Sequence, residues 1–170
     1  LYHNLYSIDR EAPEEILVLS GDHIYKMNYE KMVQFHRQAE AAATVATIQV
    51  PIHEAHRFGV VAADADHRIV GFEEKPAEPR PDPHHPESAM VSMGVYVFNL
   101  EVLRDALVED AEMNSSHDFG KDIIPGLIDK ALVYAYPFED ENKKESKYWR
   151  DVGTIDSYWE ANMDLARVDP

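Results

Sequence analysis

The chain contains no cysteine, which excludes a disulfide framework and thiolate chemistry. It is poor in positive charge. Sixteen Lys and Arg face thirty-two Asp and Glu, a formal net charge of −16. Such a field repels nucleic acid and anionic membranes, so neither is an expected partner. A small phosphorylated substrate stays open if cations or a metal are concentrated locally. No apolar run approaches the roughly 20 residues that a membrane span needs. The opening LYHNLYSIDREAPEE is polar and charged, unlike a signal peptide, which points to the cytoplasm. The first residue is Leu1 rather than methionine, which suggests an excerpt of a longer chain. What is present suits one globular domain: 170 residues, 45% of them hydrophobic, enough to bury a core.

The run EILVL, Glu15 to Leu19, ended by Ser20-Gly21-Asp22-His23, reads as a buried parallel strand with Asp22 just past its end. In open α/β sheets that edge is where ligands bind. Asn28 is placed to cap a helix from about Tyr29 to Ala43, with Tyr29, Met32, Val33, His36 and Ala39 on one face. Thr44 to Val50 reads as a strand stopped by Pro51. Val60–Ala63 and Arg68–Phe72 read as a hairpin about a polar turn. Pro76 to Pro86 holds five of the ten prolines and reads as an exposed extended loop. Met90 to Phe98 is a further strand, Asn99 a cap for a helix from Leu100 to Val108, and Asp122 to Ala131 a helix with Pro125 in its first turn. Leu132 to Phe138 alternates as a strand, and EDENKKESK reads as a solvated loop. Thr154 caps a last helix to about Val168, with Ile155, Tyr158, Trp159 and Asn162 on one face. The amphipathic helices read as packing on a core. Strands alternating with helices, plus one hairpin, predict an α/β fold with a mixed sheet.

Two carboxylates stand out by context. Asp22 follows a strand, and Asp151 precedes a helix cap in Trp149-Arg150-Asp151-Val152-Gly153-Thr154. Meeting at one sheet edge, the two would hold Mg²⁺ through oxygen ligands. The ordinary alternatives are a turn aspartate at Asp22, and a cap or an ion pair with Arg150 at Asp151. Lys75, between a strand and Pro76, is placed to hold a phosphate, and Glu74 beside it to bind sugar hydroxyls; the alternative is a charged strand end. Gly94 inside a strand marks a close approach or a bulge. Asn114 to Asp122 is either a ligand-contacting loop or a plain cap. Nine histidines supply no metal-ligand spacing. No complete P-loop, Gly-x-Gly-x-x-Gly or Gly-x-Ser-x-Gly motif occurs.

Six segments occur in order: SGDHIYKMNY, RFGVV, GFEEKP, SMGVYVF, NSSHDFGKDIIP and YWRDVGTIDSYWEANMDL. From about Glu15 onward they resemble the bacterial glucose-1-phosphate adenylyltransferases. The resemblance implies a Rossmann-like mixed β-sheet flanked by helices, and the transfer of an adenylyl group from ATP to α-D-glucose 1-phosphate, giving ADP-glucose and pyrophosphate for glycogen synthesis. It implies that Asp22 and Asp151 are catalytic and bind Mg²⁺, and that Glu74 and Lys75 contact glucose and its phosphate. Gly59, Ser92, Tyr96, Asp118, Phe119 and Trp149 match further positions of the sugar pocket. It implies a homotetrameric parent enzyme. Nothing here matches the family's glycine- and arginine-rich ATP-phosphate loop or its C-terminal β-helix, so residues 1–170 are expected to be the sugar-phosphate half of a catalytic domain, inactive in isolation. The alternatives are a related sugar nucleotidyltransferase using another NTP, or a non-catalytic sugar-phosphate-binding module.

Overall fold

A computed structural model describes residues 1–141 and 147–167. The elements follow one another as α1 (Leu5–Glu11), β1 (Glu15–Val18), β2 (His23–Tyr25), α2 (Tyr29–Gln38), β3 (Ala43–Pro51), β4 (Gly59–Ala63), β5 (Ile69–Glu74), β6 (Ser88–Asn99), α3 (Leu100–Ala111), α4 (Ile124–Ile128), β7 (Val133–Pro137), β8 (Trp149–Asp151) and α5 (Ile155–Leu165). A π-helical turn, Phe119–Ile123, leads into α4. The expected α/β fold is present as a mixed sheet flanked by helices. Its main path runs β5-β4-β6-β3-β7, with β1 also paired to β6, while β2 and β8 form a separate two-stranded sheet. Among the described residues only β3 and β7 run parallel; the other pairs are antiparallel.

The sheet divides the core into two layers, because alternate residues of a strand face opposite sides. Tyr96 and Phe98 of β6 join Leu103 and Leu107 of α3 and Ile124 and Leu127 of α4 on one face. Val91, Met93, Val95 and Val97 join Met32 of α2 on the other. The two hairpin strands pair as expected, from Gly59 opposite Glu74 to Ala63 opposite Ile69. The Pro76–Pro86 stretch contains no helix or strand, and most of it is exposed. Among the described residues, no helix is long and apolar enough to cross a membrane.

Caps decide where the helices begin. Asn28 accepts a hydrogen bond from Glu30 N at α2, and Thr154 forms a capping box with Ser157 at α5. Asn99 stands at the N-cap position of α3 but does not cap it with its side chain. Its amide instead accepts from His36 Nε2 at 3.0 Å and donates to Ala41 O at 3.1 Å. His36, 1% exposed, is held on its other nitrogen by Thr44 Oγ1 at 2.8 Å, so its polar ring is buried with both nitrogens partnered.

Four elements differ from expectation. α2 ends at Gln38 rather than near Ala43, because Ala43 already pairs as a strand with Phe98 and Val133. β1 is not a buried parallel strand: it pairs antiparallel with β6, and Leu17 and Leu19 stay partly exposed, because no other strand covers it among the described residues. The segment expected to be helical from Asp122 to Ala131 begins earlier, at Phe119, because the Asp118 side chain accepts from Gly120 N and Lys121 N and starts the turn there. The aromatic face of α5 does not pack. Ile155 is 87% exposed, Tyr158 60% and Trp159 61%, while Ala161 and Asp164 face inward. The solvated-loop expectation for residues 139–147 lies outside the described residues over 142–146, as does Val168.

Candidate active site

The pairing of β2 with β8 sets His23 opposite Asp151. Asp22, one residue earlier, therefore stands beside Asp151 although 129 positions separate them. Val152 N donates to Asp22 O at 2.9 Å, and Gly153 N to Asp151 Oδ1 at 2.9 Å. A β-carbon at Gly153 would lie 3.0 Å from Asp151 Oδ1 and 3.6 Å from Asp22 Oδ2, so both carboxylates crowd one small space. The ordinary alternatives at Asp151 do not hold. Thr154 supplies the helix cap, and Arg150 reaches Asp164 at 3.4 Å. His23 is fixed by Met93 O at Nδ1 (2.8 Å) and edges against the Trp149 ring, with Nε2 3.7 Å from Asp22. Trp149 also rests against Phe58, and its buried Nε1 has no hydrogen-bond partner among the described residues.

Two oxygen donors suit a hard cation such as Mg²⁺, which keeps several waters and binds protein through one or two carboxylates. Among the described residues there is no group of three or more His, Cys, Asp or Glu that would form a closed cage. The donor set thus fits a metal shared with a phosphate ligand and does not fit a structural metal.

A cleft of about 320 Å³ opens nearby at the β6 bulge, lined by Ser20, Glu74, Gly94, Tyr96 and residues 117–120. The bulge is visible in the register. Tyr96 faces Val45 and Ser92 faces Thr47, so four positions of β6 span two of β3. Gly94 lies within it at φ +68°, and a side chain there would overlap Ser20 Oγ. Both readings of Gly94, bulge and close approach, therefore hold. Gly94 N donates to Ser92 Oγ at 3.2 Å, and Ser92 Oγ donates to the Tyr96 hydroxyl at 3.4 Å. Ser92 thus backs the cleft wall without lining it. Phe119 stacks on Tyr96, with centroids 5.4 Å apart and planes 16° from parallel.

Glu74 ends β5 with its side chain 18% exposed. Two glycines make room for its carboxylate. A β-carbon at Gly59 would stand 2.8 Å from Oε2, and one at Gly120 would overlap Oε2. Burial and then the charge of Asp118 push the Glu74 carboxyl above the usual glutamate range, against the opposing pull of Lys75 and Lys121. Burial likewise raises the Tyr96 hydroxyl. Lys75 adopts a left-handed backbone (φ 49°), secured by its N–H on Phe58 O at 3.1 Å, and its Nζ lies 3.8 Å from Glu74 Oε1. Its side chain is 64% exposed and stands outside the cleft lining.

The structure thus gathers Glu74, Tyr96, Asp118 and Phe119 at one cleft, with Gly59 beneath and Ser92 behind, and pairs Asp22 with Asp151 beside Trp149. Sequence reasoning gave no separate role to Ser20, His117 or Gly120. All three lie inside the motifs SGDHIYKMNY and NSSHDFGKDIIP, and His117 and Gly120 inside the 114–122 segment read as either a ligand-contacting loop or a cap, which was the available signal.

The Asp22–Asp151 pair and the neighbouring polar cleft thus sit together on a mixed α/β sheet. The profile of the nucleotidyl transferase family matches residues 1–168, and the chain belongs to that family. Over its whole length it is 53% identical to a glucose-1-phosphate adenylyltransferase of Rhodopirellula baltica, 50% to glucose-1-phosphate adenylyltransferase 1 of Vibrio cholerae, and 51% to the enzyme of that name from Paramagnetospirillum magneticum. It spans 38%, 43% and 41% of their respective lengths.

Proposed function

We propose that this chain forms the sugar-phosphate half of the catalytic domain of a glucose-1-phosphate adenylyltransferase. The parent enzyme would join ATP and α-D-glucose 1-phosphate to give ADP-glucose and pyrophosphate. The observation that carries this reading is the meeting of Glu74, Tyr96, Asp118 and Phe119 at one cleft next to the Asp22–Asp151 pair, in a chain about half identical to enzymes of that name. ATP as the donor, a cytoplasmic location and a tetrameric parent rest on the family resemblance.

In the reaction a phosphate oxygen of glucose 1-phosphate attacks the α-phosphorus of ATP in line. The new P–O bond forms as the bond to the β-phosphate oxygen breaks, and pyrophosphate leaves with that electron pair. No bond to the enzyme is needed, so catalysis reduces to positioning and charge stabilisation. Glu74, ionised, accepts hydrogen bonds from hexose hydroxyls. The Tyr96–Phe119 stack gives the sugar ring an apolar wall. Lys75 offsets the charge of Glu74 and, exposed beside the cleft, would meet a phosphate that projects from it. Asp22 and Asp151 would hold Mg²⁺, which when bound neutralises phosphate charge. The Asp22 side chain is exposed and Asp151 partly so, which leaves the pair open to a cation from water.

Titration calorimetry of the chain with glucose 1-phosphate, with and without Mg²⁺, tests the reading. Binding is expected, and Asp22→Asn or Asp151→Asn should abolish its Mg²⁺ dependence without changing the melting temperature. The double variant should add little, since groups that act as a unit are non-additive. No binding by the native chain, or unchanged Mg²⁺ dependence in Asp151→Asn, would reject it.

A further inference from the structure

Residues 114–118 cross from the end of α3 to the π turn, and the last two of them, His117 and Asp118, line the cleft. Side chains hold this crossing in place. His117 N donates to Ser115 Oγ at 3.2 Å, and Asp118 N donates to Asp122 Oδ2 at 2.9 Å. Asp122 Oδ2 also accepts from Ser116 Oγ at 2.6 Å. An equal share falls to Asp110, on the last turn of α3 and 8% exposed. One of its oxygens accepts from Ser115 Oγ at 2.6 Å, and the other meets His117 Nδ1 at 2.7 Å. These contacts hold the Asp110 carboxyl below the usual aspartate range.

His117 has φ +55°, in the left-handed region that a β-carbon disfavours. Histidine visits that region more often than most residues, and here Ser115 and Asp110 hold both its backbone and its ring. The turn it makes sets the next three residues. Asp118 enters the cleft, Phe119 stacks on Tyr96, and Gly120 fits against Glu74. A loop that relaxed at His117 would displace all three together.

We propose that Asp110, acting through His117, is a positioning residue for sugar-phosphate binding. The pair clamps the 115–118 loop in its left-handed turn and so presets the wall of the cleft. Neither carboxylate oxygen of Asp110 needs to touch the substrate. This rests on the reading of the cleft as a glucose 1-phosphate site, and it adds a device that none of the sugar-pocket positions contains.

The test uses Asp110→Ala, Asp110→Asn, His117→Gly and the Asp110→Ala/His117→Gly double. Affinities for glucose 1-phosphate and for Mg²⁺ are measured by calorimetry, and amide exchange is followed at residues 118–121. Asp110→Ala is expected to weaken glucose 1-phosphate at least tenfold and to leave Mg²⁺ affinity within twofold, because the Asp22–Asp151 pair is held by other elements. Asp110→Asn, which keeps an acceptor for Ser115, should fall between. His117→Gly accepts the left-handed backbone without strain yet loses the pairing, so it should lose affinity like Asp110→Ala. The double should be no weaker than the poorer single. Wild-type affinity in His117→Gly would overturn the proposal, as would full additivity or an equal loss for both ligands. If Asp110→Ala does not fold, the exposed His117 position decides alone. Failure of the native chain to bind glucose 1-phosphate would count against the assigned function. Even then, faster exchange at residues 118–121 in His117→Gly supports the clamp, and unchanged exchange overturns it.

Discussion

Gly59 and Gly120 approach the same carboxylate from two sides, and the two are expected to respond differently to one added methyl group. In Gly120→Ala the new carbon overlaps Glu74 Oε2 and stands 3.0 Å from Cδ, with Phe72 Cε1 next at 3.3 Å. What must move is the free end of a flexible side chain, which is cheap. The Gly120 backbone needs no left-handed conformation, so the substitution also removes freedom from the unfolded chain, a gain of about 0.4–1 kcal/mol. Stability should therefore change by less than about 1 kcal/mol. The carboxylate, however, leaves the position from which it meets the sugar. Hydrogen bonds to charged groups contribute about 1.5–3 kcal/mol, which at 1.4 kcal/mol per decade is roughly a 10- to 150-fold loss of glucose 1-phosphate affinity. In Gly59→Ala the new carbon lies 2.5 Å from Phe72 Cζ and 2.8 Å from both Phe72 Cε1 and Glu74 Oε2. That ring packs against the core and cannot swing away, so overpacking should cost about 1–3 kcal/mol. The melting temperature should then fall by roughly 2–4 °C per kcal/mol in a domain of this size. Thermal melts and calorimetric titration of the two variants separate the effects. If Gly120→Ala bound glucose 1-phosphate as the native chain does, Glu74 would not be a sugar contact in this conformation and the reasoning would fail.

Other outcomes follow from the same geometry. Because burial and Asp118 raise the Glu74 carboxyl, sugar binding that needs the ionised form should weaken on acidification at a higher pH than for an ordinary glutamate, and Glu74→Gln should flatten that limb of the pH–affinity curve. For stability the sign is opposite. A raised carboxyl favours the folded state at low pH and loses that advantage as pH rises through its folded value, so Glu74→Gln should stabilise the fold at neutral pH in melts. His36→Leu would leave Thr44 and Asn99 without their buried partner. It should cost at least about 1–3 kcal/mol in denaturant unfolding. Thr154→Ala removes the capping box of α5, a loss of about 0.5–2 kcal/mol that should leave Mg²⁺-dependent binding intact.

Much of this protein was already determined by short-range chemistry. Asn28 and Thr154 begin their helices because a side-chain oxygen satisfies an amide two or three residues on, a bond that needs no distant partner. The hairpin from Gly59 to Glu74 closes on neighbouring segments around a polar turn, and the apolar runs of β3 and β6 mark strands whatever they pair with. The motif residues Glu74, Tyr96, Asp118 and Phe119 could be named in order along the chain. Their meeting could not, because they come from β5, β6 and the π turn, and only the sheet sets these three around one cleft. Asp22 and Asp151 become neighbours through the β2–β8 pairing, which no local pattern announces. The apolar spacing of α5 looked like a core face, yet periodicity records only which residues share a side, and tertiary packing left that side in solvent. Asn99 sits where a cap belongs but turns to His36, since a buried imidazole needs two partners and the nearest amide answers it. Local hydrogen bonds and hydrophobic period are written in consecutive residues. Strand partners, shared cavities and buried polar pairs are settled only when distant segments compete for the same space.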